Sequence, residues 1–173
     1  MSSCNCSTTN DSSSCGCSNS EVASITCPFC RTNGRKVTAL TMHSQLKKEY
    51  QEQYESFENF NFCTNPHCSN VYYNDQGITI GQEQIKTKVT LKNSDPSTPL
   101  CYCKKLLKEQ FYDMVRAGEP NIAQKIKEII ANGKSFCEKS NPKGVCCTED
   151  VNLFLAAHNI DIAIDNSHTA SCC

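Results

Sequence analysis

The feature that most constrains what this chain can fold into is its cysteine content and spacing. There are 15 cysteines in 173 residues, with no tryptophan and only 38% hydrophobic residues. A chain with so few large apolar side chains needs crosslinks or bound metals to hold small lobes together. Disulfide or metal is then a question of compartment. The first twenty residues, MSSCNCSTTNDSSSCGCSNS, lack the positively charged start and apolar core of a secretion signal. No run of about 18 apolar residues marks a membrane span. The expectation is a reducing cytoplasm, where clustered cysteines are metal ligands more often than disulfides. A formal charge of −1 argues against nucleic acid or membrane insertion as the business of the chain.

Composition divides the chain into four parts. Residues 1–24, rich in Ser, Asn, Thr and Cys, are too polar to build a core and read as a disordered tail. Residues 25–93 read as a mixed α/β lobe. It opens with a cysteine turn and continues with a polar helical stretch from Leu40 to Tyr54. Strand-like runs follow at Phe60–Phe62, Asn70–Tyr73 and Ile78–Ile80, with turn residues at Asn74–Gly77 and an alternating edge strand at Ile85–Leu91. Residues 94–99, SDPSTP, are a linker by composition, opening a helical lobe over 94–158. Residues 159–173 form a second tail ending in Cys172-Cys173. The expected fold class is α+β, a small zinc-bound lobe followed by a helical lobe.

Three segments of the second lobe have helical spacing. Leu107, Phe111, Met114 and Val115 share a face, ended by Gly118 and Pro120. Asn121 can cap a helix that buries Ile122, Ile126, Ile129 and Ile130, with Gly133 at its C-terminal end. Thr148, with Glu149 and Asp150 in a first turn, begins a helix that buries Val151, Phe154 and Leu155. Cysteines sit where these helices begin or end: Cys101 and Cys103 before the first, Cys137 after the second, Cys146 and Cys147 before the third. Helices packed as a hairpin bring such loops together, and free amides there favour thiolate charge. Four converging thiolates suit an iron–sulfur cluster or a zinc ion.

In the first lobe, C-P-F-C at 27–30 and C-T-N-P-H-C at 63–68 supply two thiol pairs. A C-x-x-C turn places two thiolates on one side of a knuckle, and a second pair completes a tetrahedron. Cys27, Cys30, Cys63 and Cys68 are the expected zinc ligands, with His67 able to replace one thiolate. His43 reads as an ordinary polar helix residue, and the acidic stretch Glu49–Glu58 as a solvated face.

The run C-Y-C at 101–103, a helix pair, Cys137, and N-P-K-G-V-C-C at 141–147 together resemble the [2Fe–2S] module of bacterioferritin-associated-ferredoxin-like domains. The pattern is more similar still to the amino-terminal domain of CopZ-type copper chaperones, in which a zinc-binding lobe precedes the cluster module. The resemblance covers about residues 25–150. It implies a [2Fe–2S] cluster held by Cys101, Cys103, Cys137 and one of Cys146 and Cys147. It favours Cys147, which is also nearer the expected helix start. Two features depart from these patterns. Cys137 and Cys147 are separated by nine residues rather than forming a close C-x-x-C pair, which favours the CopZ type. The M-x-C-x-x-C loop of the copper-carrying domain is absent from the sequence.

The terminal pairs Cys4/Cys6, Cys15/Cys17 and Cys172/Cys173 are candidate sites for Cu(I) or a similar soft ion, which thiolates select. His168 among them reads as solvent-exposed. The leading expectation is a metal-handling redox protein with one-electron transfer, extending to reduction of Cu(II), and a protein partner for electrons or metal. The alternatives are a ferredoxin-like electron carrier and a non-redox, thiol-rich metal buffer. No phosphate loop, H-E-x-x-H or nucleophile elbow points to an enzyme of a familiar class. Lys104, Lys105 and Lys108 are expected to solubilise their helix or present a docking surface.

Overall fold

The computed structural model describes residues 25–160. The expectations for residues 1–24 and for the thiols and histidine beyond residue 160 lie outside the described residues. A four-stranded antiparallel sheet forms in the order β1 (Arg35–Lys36), β2 (Asn61–Phe62), β3 (Asn70–Tyr73) and β4 (Thr79–Gly81). Two short helices, α1 (Ala39–Gln45) and α2 (Lys48–Gln51), connect β1 to β2. The hydroxyl of Thr38 accepts from the amide of Thr41 at 3.2 Å and so caps α1. Met42, Leu46, Phe60, Phe62, Tyr72 and Ile80 are fully buried in the core beneath the sheet. All four residues of β3 are buried, and because a strand alternates sides, Tyr72 enters this core while Tyr73 meets a group of cysteines. The Asn74–Gly77 turn forms as its residues suggest, with Asn74 Oδ1 accepting from the amides of Gln76 and Ile78.

Three expectations for this half are corrected. The helical stretch from Leu40 to Tyr54 is broken at Leu46 and Lys47, both extended, because the Lys47 amide is drawn to the carbonyl of Gln84 at 2.9 Å. The edge strand at Ile85–Leu91 does not form. The chain makes 3-10 turns at Gln82–Gln84 and Thr90–Lys92 instead, and Val89 donates to the Gln82 side chain rather than to a strand. The alternation in sequence records burial of Ile85 and Val89, since the segment wraps over the core without extending the sheet. The SDPSTP linker is a fixed corner: Ser97 donates its amide to Asp95 Oδ1 at 2.8 Å, and the amides of Lys108 and Glu109 go to the carbonyls of Thr98 and Pro96.

A hairpin of β5 (Pro99–Cys101) and β6 (Leu106–Leu107), not foreseen from the sequence, leads into α3 (Lys108–Arg116) and α4 (Ile122–Ala131). They are followed by α5 (Cys137–Ser140) and α6 (Thr148–Ala157). The lobe expected to be helical is therefore itself mixed. Leu100, Leu106, Phe111, Ile126, Val151 and Leu155 form its buried centre. The three expected helices are present, and α6 begins at Thr148 with Glu149 and Asp150 in its first turn. Asn121 stands at the N-terminal cap of α4 without a side-chain capping bond. Cys137 does not lie in a loop but opens α5. Lys108 is buried rather than solubilising: its ammonium donates to the carbonyls of Asn93 (2.6 Å) and Thr90 (3.2 Å), and burial lowers its pKa.

Candidate metal centres

The C-P-F-C knuckle is shaped by its own backbone. The Arg31 amide donates to the Cys27 carbonyl at 2.8 Å, and the Cys27 amide donates to the Thr32 carbonyl at 2.9 Å. Cys63 and Cys68 come from the connection between β2 and β3, where the Cys63 amide donates to Val71 at 2.8 Å. These elements bring the sulfurs of Cys27, Cys30, Cys63 and Cys68 within 4.8 Å of one another. Cys27 Sγ lies 3.9 Å from Cys68 Sγ, and Cys30 Sγ lies 3.6 Å from Cys63 Sγ. Zinc–sulfur bonds of about 2.3 Å in a tetrahedron place sulfurs about 3.8 Å apart, so the spacing suits this ion. His67 is exposed, donates its amide to Asn65 Oδ1 and stands outside the thiol group.

Before metal binds, the four thiols differ in acidity. Burial pushes Cys63 up to about 12 and raises Cys68. Burial acts the same way on Cys27 and Cys30, but hydrogen bonds outweigh it: Asn70 and two amides lower Cys27, and Thr32 helps lower Cys30 to about 6. The Lys92 ammonium reaches the carbonyls of Asn65 (2.5 Å) and Cys68 (3.2 Å), and its charge favours ionisation of Cys63. A cation beside four thiolates offsets the net negative charge they bring. Lys92 gave no sign of this role in sequence, since its place depends on the 3-10 turn that carries it.

The second group draws on three separate segments: Cys101 and Cys103 at the β5–β6 hairpin, Cys137 at the start of α5, and Cys146 and Cys147 before α6. Cys103 Sγ and Cys137 Sγ are 3.2 Å apart. Cys137 and Cys147 both act on the ionisation of Cys146, and Cys147 acts on that of Cys101, so the influence of one thiol on the next runs through all five. The Cys137 thiol, the Ser140 hydroxyl (3.0 Å) and the Phe136 amide (3.2 Å) together pull Cys103 down to about 5. Cys101 is lowered by the Cys147 thiol, and Cys146 by the Cys137 and Cys147 thiols. Cys137 and Cys147, which donate, are pushed up by Cys103 and Cys101 respectively. Cys101 and Cys147 are 2% and 1% exposed, while Cys146 is half-buried and 3.0 Å from Thr148 Oγ1. Of the expected cluster ligands, Cys103 and Cys137 are in direct contact, while among the described residues the compact four-sulfur group is that of Cys27, Cys30, Cys63 and Cys68.

Several positioning residues left no signal in the sequence. Tyr102, between two ligands, turns its hydroxyl to the amide (2.9 Å) and hydroxyl (2.7 Å) of Thr90 and fixes the hairpin to the sheet half of the molecule. Lys104, expected at a free surface, closes onto the carbonyls of Gly133 and Lys134, both at 2.9 Å. Tyr72 in β3 donates to the Pro142 carbonyl at 2.7 Å, 70 residues away in sequence.

Residues 24–86 match the CopZ-type family described as a zinc binding domain, and they contain all four cysteines of the compact group. The chain is similar to the copper chaperone CopZ of Archaeoglobus fulgidus, at 31% identity over 122 residues and 70% of its length. It spans 57% of the length of that relative. The mixed α/β fold is similar to the X-ray structure of the Archaeoglobus fulgidus CopZ N-terminal domain. That similarity has a TM-score of 0.63 at 25% identity and covers 80% of this chain and 100% of the other. Residues 24–86 are thus similar to a zinc binding domain, and among the described residues their four cysteines form the compact group with the geometry to hold a metal ion. Among the described residues no helix is long and apolar enough to cross a membrane.

Proposed function

We propose that this zinc binding domain supports a second, redox-active centre, and that the chain is a cytoplasmic metal-handling protein with copper as its cargo. The observation that carries the reading is the contact of Cys103 with Cys137, on segments that also bring Cys101, Cys146 and Cys147 and that rest on the half of the molecule holding the compact thiol group. In this reading Cys27, Cys30, Cys63 and Cys68 hold zinc. Cys101, Cys103, Cys137 and Cys147 hold a [2Fe–2S] cluster, with Cys146 the other candidate for the fourth position. Thiols strung along a chain suit ligands divided between two irons better than ligands gathered on one ion. The cluster, when bound, supplies one-electron chemistry, which is what conversion of Cu(II) to Cu(I) requires. The chain's own residues prepare the site. The Phe136 amide and Ser140 hydroxyl favour charge on the Cys103 sulfur, and burial of Cys101 and Cys147 keeps water away. The relative's name as a copper chaperone supports copper as the soft ion, and the terminal thiol pairs offer it ligands. A protein that accepts the electron or the metal completes the scheme.

Anaerobically purified protein is expected to be coloured and to contain about two irons and about two sulfides per chain. Cys103→Ser should lose or severely destabilise this iron. Full retention of iron in that variant would overturn the ligand assignment. Addition of Cu(II) to reduced protein should then diminish the cluster and cupric resonance signals together, faster than in Cys103→Ser with its tails intact. Loss of the cupric signal alone would assign the reduction to free thiols.

A further inference from the structure

The segment between Cys137 and Cys147 rests on side chains of the zinc domain. Thr38 donates to the Glu138 carboxylate (2.9 Å), Thr41 to the Glu138 carbonyl (2.8 Å), and Gln45 to the Lys139 carbonyl (2.7 Å). Tyr72, fully buried, donates to the Pro142 carbonyl at 2.7 Å. Gly144 closes against the same helix: its φ is +70°, and a Cβ there would stand 2.7 Å from Thr41 Oγ1. The other face of the supporting strand belongs to the zinc group. Tyr73 packs on Cys27, Cys63 and Cys68, Asn70 donates to Cys27 Sγ at 3.5 Å, and Val71 accepts the Cys63 amide. Adjacent residues of one short strand thus touch the first thiol group and the backbone of the segment between Cys137 and Cys147.

We propose that β3 couples the two centres and that Tyr72 is the residue through which zinc occupancy positions the ligand segment 137–147. Zinc fixes the strand by holding the cysteines beside Tyr73, Asn70 and Val71, and the strand in turn fixes the Tyr72 hydroxyl. Without that donor the Pro142 carbonyl is a buried acceptor lacking a partner, and the segment regains freedom that must be lost again whenever its cysteines bind. Zinc therefore tightens retention of whatever the second group holds. By linkage, an occupied second group tightens zinc binding by the same factor. The proposal rests on the reading that the second group holds an iron–sulfur cluster.

The test uses full-length protein loaded with both metals, kept anaerobic, with iron release to a ferrous chelator followed before and after selective zinc removal. Zinc removal should speed iron release about tenfold or more. In Tyr72→Phe, which keeps the ring and removes the bond, release should already be about three- to tenfold faster with zinc bound, and zinc removal should add little. The resonance spectrum and reduction potential of the cluster should shift in this variant while its zinc content stays the same. Gln45→Met should show the same pattern more weakly, and serves if Tyr72→Phe does not fold. Equal iron release with and without zinc, or an undiminished zinc effect in both variants, overturns the coupling. Protein without iron overturns the cluster reading instead. Amide exchange over residues 138–147 then decides the coupling: protection that falls on zinc removal supports it, and unchanged protection overturns it.

Discussion

In the zinc group each thiol pair is shaped within a few residues, by the turn after Cys27 and by the β2–β3 connection, and the sheet has only to bring two ready knuckles together. The five-thiol group has no such local frame. Its members come from a hairpin, a helix start and the approach to another helix, and they meet because α5 lies on α1, Tyr72 holds Pro142, and Tyr102 holds Thr90. A further tie is a buried ion pair within the second half, Lys143 Nζ to Asp150 Oδ1 at 2.8 Å, between the ligand segment and the first turn of α6. The contrast teaches that a short motif can specify one thiol group, whereas the other is specified by the packing of the whole molecule.

The strongest way to break that contrast is Cys63→Ser. A structural zinc contributes roughly 10–16 kcal/mol to small domains, so losing one buried ligand should destabilise the sheet half by ~5 kcal/mol or more. Metal analysis should find zinc lost, and hydrogen exchange should find residues 25–93 opened more than α3 and α4. Equal opening of both halves would contradict the local character of the zinc group.

Lys143→Met tests the dependence of the second group on distant contacts. Leaving Asp150 buried without its cation should cost about 3–5 kcal/mol, read in thermal or denaturant unfolding, with zinc content unchanged. The double variant Lys143→Met with Asp150→Leu should recover most of the loss, because apolar groups of similar size replace a buried pair well.

The smallest effect expected is on pH dependence, and it sharpens the description of the zinc group. Cys63, at about 12, and Cys68, also raised by burial, enter zinc binding as thiols at pH 7, whereas Cys30, at about 6, enters mainly as thiolate. At least two protons should therefore leave per zinc, so affinity should rise roughly 100-fold or more, about 2.7 kcal/mol or more, per pH unit near neutrality. Calorimetry in buffers of different ionisation enthalpy counts those protons. The metal-free protein carries the opposite sign at high pH: the raised thiols contribute stability that is present below pH 9 and is lost as the Cys63 thiol ionises toward about 12.

What could be read in advance follows the range of the forces involved. Asn70–Tyr73 reads as a strand from its bulky, ring-bearing run and is one, and Thr148 reads as a helix start and is one, because the preference and the capping charges are local. Ile85–Leu91 has a strand's alternation, but its pairing stops at a single bridge between Ile85 and Leu46, and a strand extends only by pairing. Lys108 has the composition of a surface residue but reaches inward, where carbonyls of the preceding corner replace water around its ammonium.

The sequence by itself determined which thiols can gather into the compact group. Two short knuckles of fixed spacing, in a chain with little apolar material, single out Cys27, Cys30, Cys63 and Cys68, since a C-x-x-C turn can hold a metal from its own backbone. It also set the spacing of Cys101, Cys103, Cys137, Cys146 and Cys147. Only the tertiary structure decided that Cys103 meets Cys137, that Tyr73 packs on the first thiol group while Tyr72 of the same strand holds the Pro142 carbonyl, and that Lys92 stands beside the first group. Such contacts join residues tens of positions apart, and no local preference of the chain encodes where a hydroxyl, an ammonium or a carbonyl will arrive once two cores have closed on each other.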